Sequence, residues 1–404
     1  MSEKHIVIVS ATRTPMGGFQ GDFSDMTAPE LGSIAIRAAV ERSGIQADAI
    51  DDLYFGTVVP AGQKQAPARQ AALGAGLPNS VPCTTINKVC GSGMKAAMIA
   101  HDQLMAGNGQ AIIAGGMESM TCTPYLIEKA RQGLRLGHSQ LKDSLFHDGL
   151  EDAGTGGLMG SFAQQAADDN NISREEMDAY AIESLNRAQN AIALGWMKEE
   201  ITPVTVKSRR GEQVFDIDEQ PGKAKPEKIP QLRPAFKTDG SVTAANASSM
   251  SDGASALLLM EASAAQAQGL KPLARMVAHA GHAQKPSEFT IAPISAIQKL
   301  LDKTGWTVAD VDLFEINEAF AVVSLLAIKA LELDPAKVNI NGGACALGHP
   351  LGSSGSRIIV TLIHALKRLN KKRGIAALCI GGGEATAVAI EILEIGRASC
   401  RERV

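Results

Sequence analysis

At 404 residues the chain is long enough for two or three domains with well-formed cores. It is 45% hydrophobic and 20% charged with a formal net charge of -4, which argues against a nucleic-acid partner held by bulk charge. No apolar run approaches the ~20 residues of a membrane span. Residues 1–14 lack the basic start, apolar core and cleavage site of a signal peptide. Six cysteines without a Cys-x-x-Cys pair suit a reducing compartment and speak against a disulfide frame or structural zinc. The expectation is a cytoplasmic protein.

In chain order, residues 5–10 form a buried strand, and Arg13-Thr14-Pro15 with Gly17 and Gly18 a turn. Pro29 sits near the start of an amphipathic helix through Arg42, with Gly44 past its end. A strand at 53–59, a short helix at 66–73, a strand at 81–86, a helix at 94–105 and a strand at 111–114 follow. Residues 121–249 break this texture with a long Gly-punctuated excursion. Inside it Ser173-Arg174-Glu175-Glu176 is a capping box opening a helix to Leu194. Residues 220–234, with four prolines and Lys223, Lys225 and Lys228, read as a solvated loop or as a surface for a phosphorylated ligand. After 250 the alternation returns: strands at 256–260 and 273–280, a helix at 293–303, a strand at 313–316 and a helix ending at Leu331. A strand at 338–341, a glycine-rich loop through Gly355, a helix at 357–369 and paired strands at 375–380 and 386–393 close the series. Helices alternating with β-branched runs predict an α/β layered fold.

The two halves echo each other. Cys90-Gly-Ser-Gly opens a helix leading to a strand that ends Gly115-Gly116-Met117-Glu118; His349-Pro-Leu-Gly-Ser-Ser-Gly opens one leading to a strand that ends Cys379-Ile380-Gly381-Gly382-Gly383-Glu384. This weak repeat predicts two similar halves with Cys90 and His349 close together across a pseudo-twofold. The expected domains are 1–120 with 250–270, a loop domain at 121–249, and 271–393. Residues 394–404 break the preceding alternation and read as the translation of a sequencing adapter, a non-native tail; Cys400 is therefore left out of the chemistry.

A thiol at a helix start feels unpaired N–H groups and the positive end of the dipole, which favour thiolate and lower its pKa if a base is near. Gly91 and Gly93 would let another backbone or a thioester approach Cys90. The plain alternative is a small buried hydrophobe. His349 lies in a loop crowded with glycines, where a ligand has access, although a core histidine is the usual role of an isolated one. Cys379 ends an apolar strand and meets three glycines whose amides can converge on one site, its alternative being an inert buried thiol.

Asn87-Lys88-Val89-Cys90-Gly91-Ser92-Gly93, Asn317-Glu318-Ala319-Phe320, Gly342-Gly343 with Gly348-His349-Pro350, and Cys379-Ile380-Gly381-Gly382-Gly383 together resemble the motifs of the thiolases, in order and over the chain up to about Leu393. The resemblance implies the thiolase fold, two layered βαβ halves (αβαβα) with a large inserted loop domain. It implies that Cys90 is acylated with His349 taking its proton, and that Cys379 then deprotonates the methyl carbon of a second acetyl-CoA. One oxyanion site would use His349 with a water held by Asn317, the other the backbone N–H groups of Cys90 and Gly381. Asn317 alone reads equally as a helix N-cap. Coenzyme A and acetyl-CoA would be substrates with no permanently bound cofactor, Ser248 meeting the pantetheine arm and Met159 and Phe320 forming pocket wall. A homotetramer, a dimer of dimers, is also implied.

Residues 117–150, with Pro124-Tyr125-Leu126 and Gly137-His138, look most like the covering loop of the acetoacetyl-CoA thiolases, so the expected reaction is the reversible condensation of two acetyl-CoA. A 3-ketoacyl-CoA thiolase of broader chain length, and a non-catalytic acyl-CoA or lipid carrier, are the alternatives. Cys90 and Cys379 are also expected close enough for a disulfide under oxidation. The chain departs from the family pattern at Leu158 (often His), Gln164 (usually Glu) and Thr290-Ile291-Ala292-Pro293. It has Pro221 where an arginine often grips the nucleotide, leaving Lys223 and Lys225 as substitutes.

Overall fold

A computed structural model describes residues 4–208 and 211–393, so the expectation for the 394–404 tail lies outside the described residues. In the first half Ile6–Arg13 pairs antiparallel with Ser251–Glu261, which pairs antiparallel with Ala111–Ser119; Asp52–Gly56 and Cys83–Ile86 continue the sheet in parallel. In the second half Ala274–Ala283 pairs antiparallel with Glu384–Ile392, then Arg373–Ile380 follows antiparallel and Leu313–Ile316 parallel. A single parallel bridge from Phe314 to Val338 completes this half. Taken in chain order, both halves thus run first, fifth, fourth, second, third strand. Among the described residues, the strands of the two halves pair with one another where Val7 and Ile8 oppose Arg275 and Ala274.

Alternation along each strand sorts the side chains into layers. Ile112, Ala114, Leu257 and Leu259 face the same core as Ala376, Leu378, Val388 and Ile390, and the helices Ser92–Ala106 and Leu351–Arg368 fill the space between. Ile113, Leu258, Leu53 and Phe55 face outward against the helices Ala28–Ser43 and Pro67–Gly74. On the opposite side Ile375, Ala377 and Ala387 pack on Ala292–Thr304 and Ala321–Leu331. The result is five layers, helix, sheet, helix, sheet, helix.

Several elements differ from the sequence expectation. Cys90 does not itself open a helix, because Gly91 is the N-cap and Ser92 the first helical residue. The strand expected at 53–59 stops at Gly56, because the amides of Val58 and Val59 turn to the Glu118 carboxylate. The strand expected at 338–341 is reduced to the Val338 bridge: Asn339 adopts φ 47°, and its side chain bonds both backbone groups of Ile316. Gly352 and Gly355 lie inside a helix rather than a loop. They are needed for contact, since a Cβ on Gly355 would sit 2.4 Å from the Met94 nitrogen and one on Gly352 2.4 Å from the Met117 oxygen. The 220–234 stretch carries helical turns at Glu219–Lys223 and Pro226–Gln231.

The 121–249 excursion forms its own hairpins, Tyr125–Ile127 with Leu141–Asp143 and Val204–Ser208 with Gly211–Phe215, and the helices Met159–Asp169 and Arg174–Ala193. The longer helix starts at Ser173 with the expected capping box. Gln164, one of the departures, is buried and ties the shorter helix to Ser241 and Val242 through its carbonyl and to the Ser241 hydroxyl through its amide.

Candidate active site

The turn between the Cys83–Ile86 strand and the Ser92–Ala106 helix sets Cys90. Val89 is held at φ 47°, a region a β-branched residue avoids. The strain is fixed from both sides: Val89 donates its N–H to Asn87 Oδ1 at 3.0 Å, and the Ser92 hydroxyl donates to the Val89 carbonyl at 2.7 Å. Lys88 Nζ reaches Glu384 Oε2 at 2.5 Å, tying this turn to the glycine turn of the other half. A Cβ on Gly91 would lie 2.3 Å from Ile380 Cδ1, so glycine lets the two turns approach this closely without displacing the Ile380 side chain.

Cys90, His349 and Cys379 open onto one cavity of about 310 Å³, whose walls include Met120, Leu158, Met159, Phe289 and Phe320. Ser248 and Gly381 also line it. The wall segments are fixed to one another: Ser248 donates its N–H to the Ala319 carbonyl at 2.9 Å, and His349 donates its own to the Ser249 carbonyl at 3.1 Å.

His349 is buried. Its Nδ1 lies 2.5 Å from Ser354 Oγ, and the Ser354 hydroxyl donates to the Pro350 carbonyl at 2.9 Å. With its own hydrogen so directed, Ser354 accepts the Nδ1 proton, and Nε2 carries the free lone pair. Asn317 Nδ2 lies 3.5 Å from that Nε2, and Asn317 Oδ1 is buried with no hydrogen-bond partner among the described residues. Asn317 is not a helix N-cap, because the following helix starts at Ala321 with Phe320 as its cap. Burial, followed by the Arg357 charge, pushes the imidazole down to about 3, so it rests neutral and able to accept a proton.

The expected lowering of the Cys90 pKa is not what the resting site shows. Burial pushes the thiol up to about 11, overriding hydrogen bonds from the amides of Gly381 and Cys90 itself, with Glu118 adding repulsion. An apolar cavity disfavours a bare thiolate more than two amides favour it. The same amides are placed to stabilise negative charge once it forms on this sulfur or on an oxygen bonded beside it. Cys379 is likewise raised well above the ordinary thiol range, by burial and then by Cys90. Two neutral thiols and a neutral imidazole in an apolar cavity suit chemistry in which protons move only as bonds form.

The structure brings Cys90, His349, Cys379, Gly381, Ser248, Met159 and Phe320 to one cavity and Asn317 to its edge. Lys223 and Lys225 are exposed and do not line it, and Lys223 is engaged by Glu219. Two buried carboxylates lie within the sequence motifs but are not read there as site residues. Glu118 accepts hydrogen bonds from Thr57 Oγ1 and the amides of Val58, Val59 and Gly352 at 2.8–3.3 Å, so it holds the start of the His349 helix to the Cys90 half. Glu318 accepts from Tyr180, Ser184, Asn339 and the Cys345 amide at 2.7–3.1 Å and anchors the glycine loop before His349. Their signal was an acidic side chain within an apolar or glycine run, which a folded core tolerates only if partnered.

Family models for the thiolase N-terminal and C-terminal domains match residues 6–263 and 270–392. An acetyl-CoA acetyltransferase of Pseudomonas aeruginosa is 48% identical over 95% of this chain and 98% of its own length. One from Schizosaccharomyces pombe is 49% identical over 97% of this chain and 100% of its own. The crystal structure of the Bacillus anthracis acetyl-CoA acetyltransferase superposes with a TM-score of 0.94 at 42% identity, covering 96% of this chain and 99% of that one.

Proposed function

Because the chain belongs to the thiolase family, we propose that it is an acetyl-CoA C-acetyltransferase, converting two acetyl-CoA into acetoacetyl-CoA and free coenzyme A, reversibly. The observation that carries this reading is the opening of Cys90, His349 and Cys379 onto one apolar cavity, together with the names of the full-length relatives. A binding protein without chemistry has no use for a strained turn under a thiol.

In this reading Cys90 sulfur attacks the thioester carbonyl of acetyl-CoA as its proton passes to His349 Nε2. The carbon–sulfur bond to coenzyme A breaks, the departing thiolate takes that proton, and acetyl-Cys90 remains. A second acetyl-CoA then enters; with its own thiol proton passed to His349 Nε2, Cys379 removes a proton from the methyl carbon, and the carbanion attacks the acetyl group. Cys90 leaves as a thiolate, takes that proton back from His349, and acetoacetyl-CoA forms. The amides of Cys90 and Gly381 face the acetyl oxygen, and His349 with Asn317 the oxygen of the other thioester. Losing one such donor typically costs on the order of a hundredfold or more in rate.

A cavity of about 310 Å³ lies at the small end of small-molecule sites and supports a short acyl group. Leu158 in its wall, apolar where many relatives of this type place histidine, favours the second reading, a thiolase accepting longer 3-ketoacyl chains. The 121–249 segment serves as the loop domain over the site. A homotetramer fits two features: the Cys83–Ile86 strand ends the sheet with an open edge among the described residues, and the 125–143 hairpin exposes Leu136 at 99%, Leu141 at 64% and Tyr125 at 62%. The proposed setting is cytoplasmic; no helix among the described residues is long and apolar enough to cross a membrane.

The test is steady-state thiolysis of 3-ketoacyl-CoA thioesters from four to sixteen carbons with free coenzyme A, using Cys90→Ala as control. Activity confined to acetoacetyl-CoA and absent in the variant supports the acetyltransferase. Equal or better turnover of longer chains moves the protein to the second reading, and no turnover of any thioester removes the catalytic assignment.

A further inference from the structure

Remote from the cavity, three ligating side chains converge where the two halves meet. His101 and Asp102 belong to the Ser92–Ala106 helix of the first half, and His279 to the Ala274–Ala283 strand of the second. His101 Nδ1 lies 3.2 Å and His279 Nε2 2.8 Å from the same oxygen, Asp102 Oδ1. The three ligand atoms all lie within 4.8 Å of one another, the only such group found among the described residues. The two rings meet edge to face with centroids 5.2 Å apart. Both imidazoles are largely buried at 13% exposure of the side chain, whereas Asp102 is 57% exposed.

We propose that His101, Asp102 and His279 form a site for a divalent transition-metal ion of the zinc class. Two fixed imidazole nitrogens already aim at one point, which a carboxylate oxygen occupies. That carboxylate is free to swing aside and return as the third ligand. Zinc takes nitrogen and oxygen ligands at about 2.0–2.2 Å, so tetrahedral ligand atoms stand roughly 3.4 Å apart, within reach of side-chain rotation here. The exposed side leaves a fourth position to water. Imidazole and carboxylate without thiolate suit zinc, cobalt or nickel, and calcium and magnesium poorly. The Lys303 ammonium donates to the His279 carbonyl at 3.2 Å, holding the strand while setting a positive charge nearby that an ion must overcome.

The location gives the ion a consequence. Among the described residues the strands of the two halves pair only through Val7 and Ile8 opposite Arg275 and Ala274, and a metal across His101 and His279 staples the central helix to the first strand of the second half. Binding to the folded state alone raises stability in proportion to the logarithm of occupancy.

The experiment is a titration of the chelator-treated full chain with Co²⁺, followed by absorption, and with Zn²⁺, followed by melting temperature. The expected result is one Co²⁺ per chain with visible d–d bands and no near-ultraviolet thiolate band, displaced by Zn²⁺, and a Zn²⁺-dependent rise in melting temperature. Asp102→Asn and His279→Gln should each weaken Co²⁺ binding at least about tenfold and lose the thermal shift. A thiolate band, an isotherm unchanged in both variants, or no binding up to millimolar Co²⁺ would overturn the proposal. If His279→Gln does not fold, the exposed Asp102→Asn decides between these outcomes alone.

Discussion

Ser354, five residues along, accepts a hydrogen bond from Nδ1–H of His349 at 2.5 Å, because its own hydrogen is committed to the Pro350 carbonyl. That pair decides which imidazole nitrogen faces the substrate. In Ser354→Ala, Nδ1 loses its partner in a buried position and the Nε2-protonated tautomer becomes competitive. We expect kcat for thiolysis to fall by roughly ten- to a hundredfold, within the range assigned to general base catalysis, with KM little changed. A kcat within twofold of the parent would show that the tautomer is set by something else.

Gly91 and Ile380 bring the two catalytic turns together. A Cβ at 91 would meet Ile380 Cδ1 at 2.3 Å, Cγ1 at 3.0 Å and the Lys88 carbonyl at 3.3 Å. Gly91→Ala should therefore displace the Gly381 amide from Cys90 and lower activity by about tenfold or more. Ile380→Val removes the atom in closest conflict, so the double variant should recover part of the loss, whereas Ile380→Val alone should be mild, about 0.5–1.5 kcal/mol in stability. A double variant no better than Gly91→Ala would mean that the backbone at Lys88, not Ile380, is the obstacle.

These glycines also explain how much can be read from the sequence. Cys90, His349 and Cys379 stand out because each is a reactive residue among glycines, and the repeated helix-opening pattern indicates two halves. The layered α/β class follows from helices alternating with β-branched runs, whereas the five layers come only with the thiolase resemblance. Gly352 and Gly355 read as a loop because a glycine needed for contact with Met94 and Met117 looks, in one dimension, like one needed for a turn. Ser354 and Glu118 are illegible as site residues, since their role lies in partners that the sequence does not place beside them, such as Gly352 for Glu118. The raised Cys90 thiol is hidden for a related reason. A helix start is visible in sequence, and the apolar lining of a cavity assembled from several distant segments is not.

Glu118 makes stability depend on pH. Burial pushes its carboxyl from an ordinary 4.5 up to about 7, against the pull of its four hydrogen-bond donors. Between those values the folded chain holds a proton that the unfolded chain releases, so stability falls as pH rises from 4.5 to 7 and levels off above. The span amounts to on the order of 3 kcal/mol. Glu118→Gln cannot ionise but turns an NH2 toward N–H donors, which costs roughly 1–3 kcal/mol. We expect the variant to be less stable than the parent at pH 5 and to lack this part of the decline, read by denaturant unfolding at each pH. A variant whose pH dependence parallels the parent's would place the titration on other groups.

Arg13 is fully buried between Glu200 at 2.6 Å and Asp218, whose two oxygens lie 2.6 and 2.9 Å from its guanidinium. Asp218 also accepts the Met16 amide at 2.8 Å. The first strand and the 121–249 segment are thus joined by charges that have no water to return to. Removing one carboxylate leaves the guanidinium under-compensated, and breaking a buried pair in this way costs about 3–5 kcal/mol. Asp218→Ala should lose that much in denaturant unfolding, whereas the surface substitution Glu128→Ala, which breaks the exposed pair with Lys142, should change stability by less than about 1 kcal/mol. If the two variants lose comparable amounts, the segment is held to the core by its apolar contacts and the buried charges contribute little.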